Sequence, residues 1–96
     1  MTALHVVALL TAKPGSEEKV RDALTVLVGH TREEEGCLTY ELFESQAAPG
    51  TFVTVEEWTD SAALEAHMAS PHIAAALEAT AEALTGPPAI HPLTHV

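Results

Sequence analysis

The stretch EEWTDSAALEAHMASPHI, residues 56–73, holds the side chains best suited to chemistry: Trp58, His67 and His72. His67 lies near the end of a short predicted helix, where the helix dipole favours imidazolium. His72 lies in the first turn of the next helix, where the neutral ring is favoured. A neutral imidazole can accept a proton and a charged one can stabilise an anion, each contributing ~10²–10⁴-fold in rate. The pair therefore indicates acid–base chemistry; the alternative is that His67 packs against the sheet and His72 caps a helix.

Trp58 shares its side of a predicted strand with Phe52, Thr54 and Glu56, because alternate residues of a strand face the same way. The indole is expected either to stack on an aromatic ligand or to fill the core. Glu56 or Glu57 must face inward if the strand is covered on both sides, and the sequence leaves that choice open. An inward carboxylate would serve as a base or orient a histidine, and a surface charge or dimer contact is the alternative.

These side chains do not predict a metal centre. The spacing of His67 and His72 across a proline does not place both on one helical face, and no ordered carboxylate set completes a shell. Residues 33–35, all glutamates, are expected to form a solvated turn. Cys37 is the single cysteine, which excludes an internal disulfide or a CxxC site. Nucleotide cofactors are not expected either, since the chain has no Gly-rich phosphate loop.

Composition narrows the possible partners. The chain has 96 residues, 47% of them hydrophobic, and a formal net charge of −10. Its 4 Lys and Arg residues all lie in the first third, so residues 33–96 carry no fixed cation. Nucleic acid and membrane surfaces are therefore excluded as partners, because both attract clustered cations. The first residues, MTALHVVALLTAKPG, lack a basic lead and are too short to span a bilayer, which predicts a strand and, by default, a cytoplasmic location.

The sequence predicts strands and helices that position Trp58, His67 and His72. Patterning predicts a strand over 3–12, a helix from Ser16 to Gly36, a hairpin of strands 37–45 and 51–59, a helix over 62–68, a second one from Ser70 to Gly86, and an edge strand near Pro92. Ile73, Leu77, Ala81 and Leu84 are expected to line one face of the last helix.

The order strand, helix, strand, strand, broken helix, strand is the βαββαβ pattern of a ferredoxin-like α+β sandwich, here a single domain over 1–96. Both faces of the first strand are apolar, with Leu4, Val6 and Leu10 on one side and Val7 and Leu9 on the other. Helices cover only one face of such a sheet. We therefore expect a homodimer in which a second copy covers the other face.

Two segments, EEGCLTYELFES and PGTFVTVEEWTDSAALEAHMASPHI, resemble the antibiotic biosynthesis monooxygenase family, including its quinol monooxygenase-like members. The most specific part is the run Glu56-x-Trp58, Asp60, Leu64, His67, Ser70, His72. The resemblance covers nearly the whole chain. It implies a dimeric α+β barrel with a pocket between sheet and helices in each subunit, and oxygenation of aromatic quinols or anthrones by O2 without metal, flavin or haem. Haem-degrading relatives carry an asparagine on the first strand, where this chain has His5.

The leading hypothesis is a cofactor-independent monooxygenase of a small quinol- or anthrone-type aromatic. His67, His72 and Trp58 are the predicted catalytic residues. The predicted substrate-binding residues are Tyr40, whose hydroxyl either holds a quinol oxygen or simply packs, Phe52, Glu56 and His5. The rival hypotheses are a non-catalytic dimeric binding or stress-response module of the same fold and, third, a haem-degrading monooxygenase.

Overall fold

A computed structural model describes residues 3–96 and confirms the predicted order of elements. The elements are β1 (Leu4–Thr11), α1 (Glu17–Thr31), β2 (Cys37–Glu44), β3 (Thr51–Trp58), α2 (Ser61–Met68), α3 (Pro71–Thr80) and β4 (Ala89–Leu93). Across these described residues, no helix combines the length and apolar character needed to cross a membrane.

The strands form one antiparallel sheet in the order β2-β3-β1-β4. In the centre, β1 pairs with β3 from Leu4 opposite Trp58 to Thr11 opposite Thr51. β4 pairs with the other edge of β1, and Pro92 therefore lies on an edge strand as predicted. This order, with its helices on one face, is the ferredoxin-like α+β fold, which confirms the predicted fold class.

The core lies between the helices and one face of the sheet. β1 contributes Val6, Ala8 and Leu10, all buried, because alternate residues point to the same side. α1 contributes a buried stripe at helical spacing, Val20, Leu24, Leu27 and Thr31. Both sets agree with the patterns in the sequence.

The opposite face of the sheet carries apolar side chains that remain exposed in the described chain. Leu9 of β1, Phe43 of β2, Val55 of β3 and Leu93 of β4 are all exposed. Strand register places them on one face, since Val55 lies opposite Val7, and Phe43 and Leu9 both lie opposite Val53. The predicted apolar outer face is therefore present.

Two short helices begin where their capping residues predict. The Asp60 carboxylate accepts a hydrogen bond from the Ala63 amide at 2.9 Å, and the Ser70 hydroxyl accepts one from the Ile73 amide at 3.3 Å. Each side chain satisfies an amide that the first helical turn leaves without a partner. α2 and α3 are consequently separate helices, divided by the short break at Ala69 and Ser70.

Two helix ends differ from the prediction. α1 ends at Thr31 rather than near Gly36, and Gly36 serves close packing instead, because a Cβ there would overlap the Cβ of Ala63. α3 ends at Thr80 rather than near Gly86. The chain beyond it runs next to the end of β1, where Leu84 and Ala12 form an isolated antiparallel β-bridge. The predicted face of α3 is therefore wrong at Leu77, which is exposed, at Ala81, which is exposed beyond the helix, and at Leu84, which is buried outside the helix.

Candidate functional site

A cavity of about 120 Å³ lies between the sheet and the helices α1, α2 and α3. Its lining is mainly apolar and includes Leu10, Leu24, Leu27, Leu64, Ile73 and Ile90. Five polar side chains also reach it: Tyr40, Thr54, Glu56, His67 and Thr80. An apolar hollow with a few convergent polar groups is the usual form of a small-molecule site.

Glu56 is the hairpin glutamate that faces inward. Its carboxylate accepts hydrogen bonds from the Thr54 hydroxyl at 2.6 Å and from the Trp58 indole nitrogen Nε1 at 2.9 Å. All three residues lie on the same face of β3, as the alternation of the strand predicts. Glu57 points to the outer face instead. The pairing between Glu56 and Trp58 is local, since only Glu57 separates them in the chain.

Trp58 is fully buried, and its ring lies behind the cavity wall rather than in it. The indole centroid is 4.6 Å from that of the His67 imidazole and 6.3 Å from that of the Tyr40 ring. With its N–H donated to Glu56, the indole is fixed at both its face and its edge. Of the two roles expected for Trp58, this position agrees with filling the core, where the indole supports His67, and not with stacking on a ligand.

Tyr40 is buried beside the same imidazole, with ring centroids 5.5 Å apart. Burial raises the pKa of its phenol, and the nearby Glu56 carboxylate raises that pKa further, since both disfavour a phenolate. The Tyr40 hydroxyl therefore stays protonated and can donate a hydrogen bond into the cavity it lines.

His67 is 2% exposed and lines the cavity, and its Nδ1 lies 2.6 Å from Oε2 of Glu34. A carboxylate accepts hydrogen bonds, so Nδ1 is the nitrogen that carries the proton in the neutral ring. Nε2 is then the basic nitrogen left for a molecule in the cavity. The α2 helix, the indole of Trp58 and the carboxylate of Glu34 together fix the orientation of this base.

His72 is held by the same carboxylate but does not line the cavity. Its Nε2 lies 2.7 Å from Oε2 of Glu34, and its ring stacks on that of His30 with centroids 5.8 Å apart. His72 instead borders a groove between α1 and α3. The structure therefore places His72 outside the cavity that His67 lines, although the two rings share the Glu34 carboxylate and their centroids are 6.0 Å apart.

Glu34 is the site residue that the sequence did not reveal. Residues 33–35 were expected to form a solvated turn, yet the Glu34 side chain is only 16% exposed and bonds to two imidazoles. Its ligand-capable oxygen and the two ring nitrogens lie within 4.8 Å of one another. The expectation that no carboxylate joins the histidines is therefore wrong, because tertiary packing brings the turn after α1 against the break between α2 and α3.

Two other predicted substrate-binding residues lie away from the cavity. Phe52 is buried in the apolar cluster at the opposite end of β3 and does not line the hollow. His5 lies on the outer face of the sheet, where its Nε2 is 3.6 Å from Glu57. The structure therefore brings Tyr40, Glu56 and His67 together and separates Phe52 and His5 from them.

Comparison with known proteins identifies the family of the chain. Residues 3–79 match the family described as antibiotic biosynthesis monooxygenase. The chain is 35% identical to YcnE of Bacillus subtilis over 80 residues, covering 83% of this chain and 84% of YcnE. It is 34% identical to the probable quinol monooxygenase YgiN of Escherichia coli, covering 79% of this chain and 83% of YgiN.

The fold agrees equally closely with solved structures. PA3566 from Pseudomonas aeruginosa superposes with a TM-score of 0.91 at 32% identity, covering 100% of this chain and 96% of that one. Rv0793 from Mycobacterium tuberculosis superposes with a TM-score of 0.90 at 30% identity, covering 99% and 96%. The resemblance seen in the sequence is confirmed, and the chain belongs to the antibiotic biosynthesis monooxygenase family.

Proposed function

We propose that this protein is a cofactor-independent monooxygenase that oxidises a small, single-ring quinol with O2. One observation carries the proposal: a basic imidazole, His67, is fixed by Glu34 and Trp58 at the wall of an apolar cavity. The relative YgiN is named a "probable quinol monooxygenase", which supports this substrate class. In the net reaction one oxygen atom enters the ring and the other leaves as water, with all electrons supplied by the quinol.

The first step is removal of a phenolic proton, which makes the ring electron-rich enough to react with O2. His67 Nε2 accepts that proton, and the Glu34 carboxylate stabilises the imidazolium from the Nδ1 side. A base positioned in this way typically contributes ~10²–10⁴-fold to the rate. Because the pKa of Tyr40 is raised, its hydroxyl remains a donor and can hold the anionic oxygen that results.

The cavity supplies orientation and exclusion of water. Most of its lining is apolar, so a bound phenolate loses its hydration shell and is held beside the protein's few polar groups. Its volume of about 120 Å³ is close to the roughly 150 Å³ hollow known in another protein to hold benzene. A single ring fits that space, whereas a fused three-ring anthrone needs a wider pocket.

Oxygen uptake tests this proposal. We expect the protein to accelerate O2 consumption with hydroquinone above the spontaneous rate, and to do less with an anthrone. His67→Gln should lower kcat by ~10²–10⁴-fold. His30→Gln is the matched control, since His30 is an exposed histidine outside the cavity. Near-ultraviolet circular dichroism establishes that each variant is folded.

Three outcomes would contradict the proposal. Tight binding of hydroquinone without O2 consumption would favour the non-catalytic binding module. A Soret band on mixing with haem, with product formed on adding a reductant, would favour haem degradation. An unchanged kcat in folded His67→Gln protein would show that His67 is not the base.

We also propose that the protein is a homodimer formed through the outer face of its sheet. The support is the row of exposed apolar side chains on that face, which is larger than scattered surface residues require. Val55→Lys, on this face, should convert the dimer to a monomer in sedimentation velocity. Val26→Lys is the control, because Val26 is 62% exposed on α1. A wild-type monomer at micromolar concentration would overturn this proposal.

A further inference from the structure

We propose that Glu34, His67 and His72 form a binding site for a divalent first-row transition-metal ion such as Zn²⁺. The site lies where the turn after α1 meets the break between α2 and α3. Both ring nitrogens, His67 Nδ1 at 2.6 Å and His72 Nε2 at 2.7 Å, point at the same oxygen of Glu34. The three donor atoms lie within 4.8 Å of one another, so one ion can contact all of them after small side-chain shifts.

The donor set suits this class of ion. Two imidazole nitrogens and one carboxylate oxygen are ligands that Zn²⁺, Fe²⁺, Co²⁺ and Ni²⁺ accept, whereas Mg²⁺ and Ca²⁺ prefer oxygen donors. Three protein ligands leave at least one coordination position for water. Metal–ligand distances of ~2.0–2.2 Å in a tetrahedral site place neighbouring donor atoms ~3.4 Å apart, so each nitrogen must move away from the shared oxygen by somewhat under ~1 Å. The two nitrogens must at the same time lie within that distance of each other.

The ligands are held in place before any ion arrives. His67 packs against both the indole of Trp58 and the ring of Tyr40. Glu34 and His72 are partly exposed, at 16% and 20%, which leaves a route for the ion from solvent. A site with one buried ligand and two near the surface is both ordered and accessible.

The surrounding charge also favours a cation. The chain carries a formal net charge of −10, and the exposed Glu33 and Glu35 flank the ligand Glu34. Arg32, the fixed cation nearest in the chain, is engaged elsewhere, since its Nε donates to the Tyr40 carbonyl at 2.9 Å. A field of this sign raises the local concentration of divalent cations.

Metal binding would switch off the base. An ion on Nδ1 of His67 replaces the proton there, and the neutral ring then carries its proton on Nε2. This nitrogen can no longer accept a proton from a phenol in the cavity. The inhibition rests on the proposed function, whereas the binding site does not, and the two can be tested separately.

The binding test uses the full chain after treatment with a chelator. Isothermal titration calorimetry with Zn²⁺ should show that one ion binds per chain. Addition of Co²⁺ should give d–d absorption bands in the visible range. His72→Ala should weaken binding at least tenfold; because His72 lies outside the cavity and is partly exposed, this variant should remain folded. His30→Ala, which removes the neighbouring stacked ring, should change the affinity less than twofold. Mg²⁺ should not compete.

The outcomes separate this site from the enzymatic proposal. The metal site is overturned if the wild type does not bind Zn²⁺. It is also overturned if His72→Ala and Glu34→Gln both bind Zn²⁺ with the wild-type affinity. Either result holds whether or not quinol is oxidised. Binding that these variants abolish, in a protein without O2 consumption, supports the metal site and removes the enzymatic proposal. If both hold, Zn²⁺ should inhibit quinol oxidation and EDTA should restore it.

Discussion

The two ends of the helix-covered face of the sheet differ in the side chains that pack there: one end is apolar and the other contains polar groups. At one end, Phe52 packs among hydrocarbon side chains such as Val20 and Leu24. At the other end, Trp58 and Tyr40 are joined by Glu56 and His67. The same strand, β3, passes through both ends and is buried at both, so burial alone does not distinguish them.

The difference lies in what each end loses when a side chain is removed. At the apolar end, truncation leaves an unfilled volume, which weakens the fold without exposing any polar group. At the polar end, truncation leaves a buried donor or acceptor without its partner, which both weakens the fold and loosens the imidazole. The first end therefore supplies stability, and the second supplies a positioned set of polar groups.

The largest expected effect is at the apolar end. Phe52→Ala should lower the free energy of unfolding by about 3–5 kcal/mol, because it removes a buried ring and leaves a cavity. Urea unfolding measures this change. Phe43→Ala makes the same substitution where the ring is 51% exposed, on the outer face, and should cost much less when both variants are measured in the monomeric Val55→Lys background. Equal losses in both variants would contradict the distinction.

A smaller effect is expected from the indole at the polar end. Trp58→Phe keeps an aromatic ring but removes the N–H donated to Glu56, so it should destabilise the protein by ~1–3 kcal/mol. Under the proposed function kcat should fall as well, since the support behind His67 changes. Thermal unfolding and O2 uptake measure the two effects. A stability loss with unchanged kcat would confine Trp58 to a structural role.

The phenol at the polar end should resist ionisation. Its pKa is raised by burial and by Glu56, and Tyr40 is the sole tyrosine of the chain, so alkaline ultraviolet titration in the presence of a chelator reports on it alone. Because only the unfolded chain ionises readily near pH ~10, stability should fall as the pH rises above that value. Glu56→Gln should lower the pKa of Tyr40. An unshifted titration in folded wild-type protein would contradict the burial of this hydroxyl.

The smallest effect is expected at the rim of the apolar end, where charges are exposed. Arg21 donates to Glu44 at 2.7 Å, and its guanidinium lies over the ring of Phe52 at 5.5 Å from the centroid. This hydrogen bond lowers the pKa of Glu44, so its contribution to stability is present above the ordinary glutamate pKa and lost as the pH falls through the lowered one. Arg21→Gln should raise the pKa of Glu44 in an NMR titration, and Lys19→Gln should not.

Much of the fold follows from local chemistry in the sequence. Strand alternation places Thr54, Glu56 and Trp58 on one face, and hydrogen bonding by Asp60 and Ser70 fixes where α2 and α3 begin. Phe52 was wrongly predicted to line the site because strand alternation gives the face of a side chain but not its distance along the strand. Phe52 shares a face with Trp58, but at ~3.3 Å per residue it lies about 20 Å away along the strand.

The candidate site was less predictable because its central carboxylate depends on tertiary packing. No local pattern distinguishes Glu34 from Glu33 and Glu35, which are exposed. His5 illustrates the opposite case, since alternation already placed it on the other side of β1 from Val6. The sequence did not show which face of the sheet the helices cover, and therefore did not show on which side the site lies.

The carboxylate that joins the two imidazoles lies 33 residues before one of them and 38 before the other. Closing chain segments of that length costs entropy, which packing between the two halves of the chain must offset. The junction therefore forms only when the first half of the chain docks against the second. A fragment that ends before α2 would keep the carboxylate and the hairpin yet have no binding site to offer.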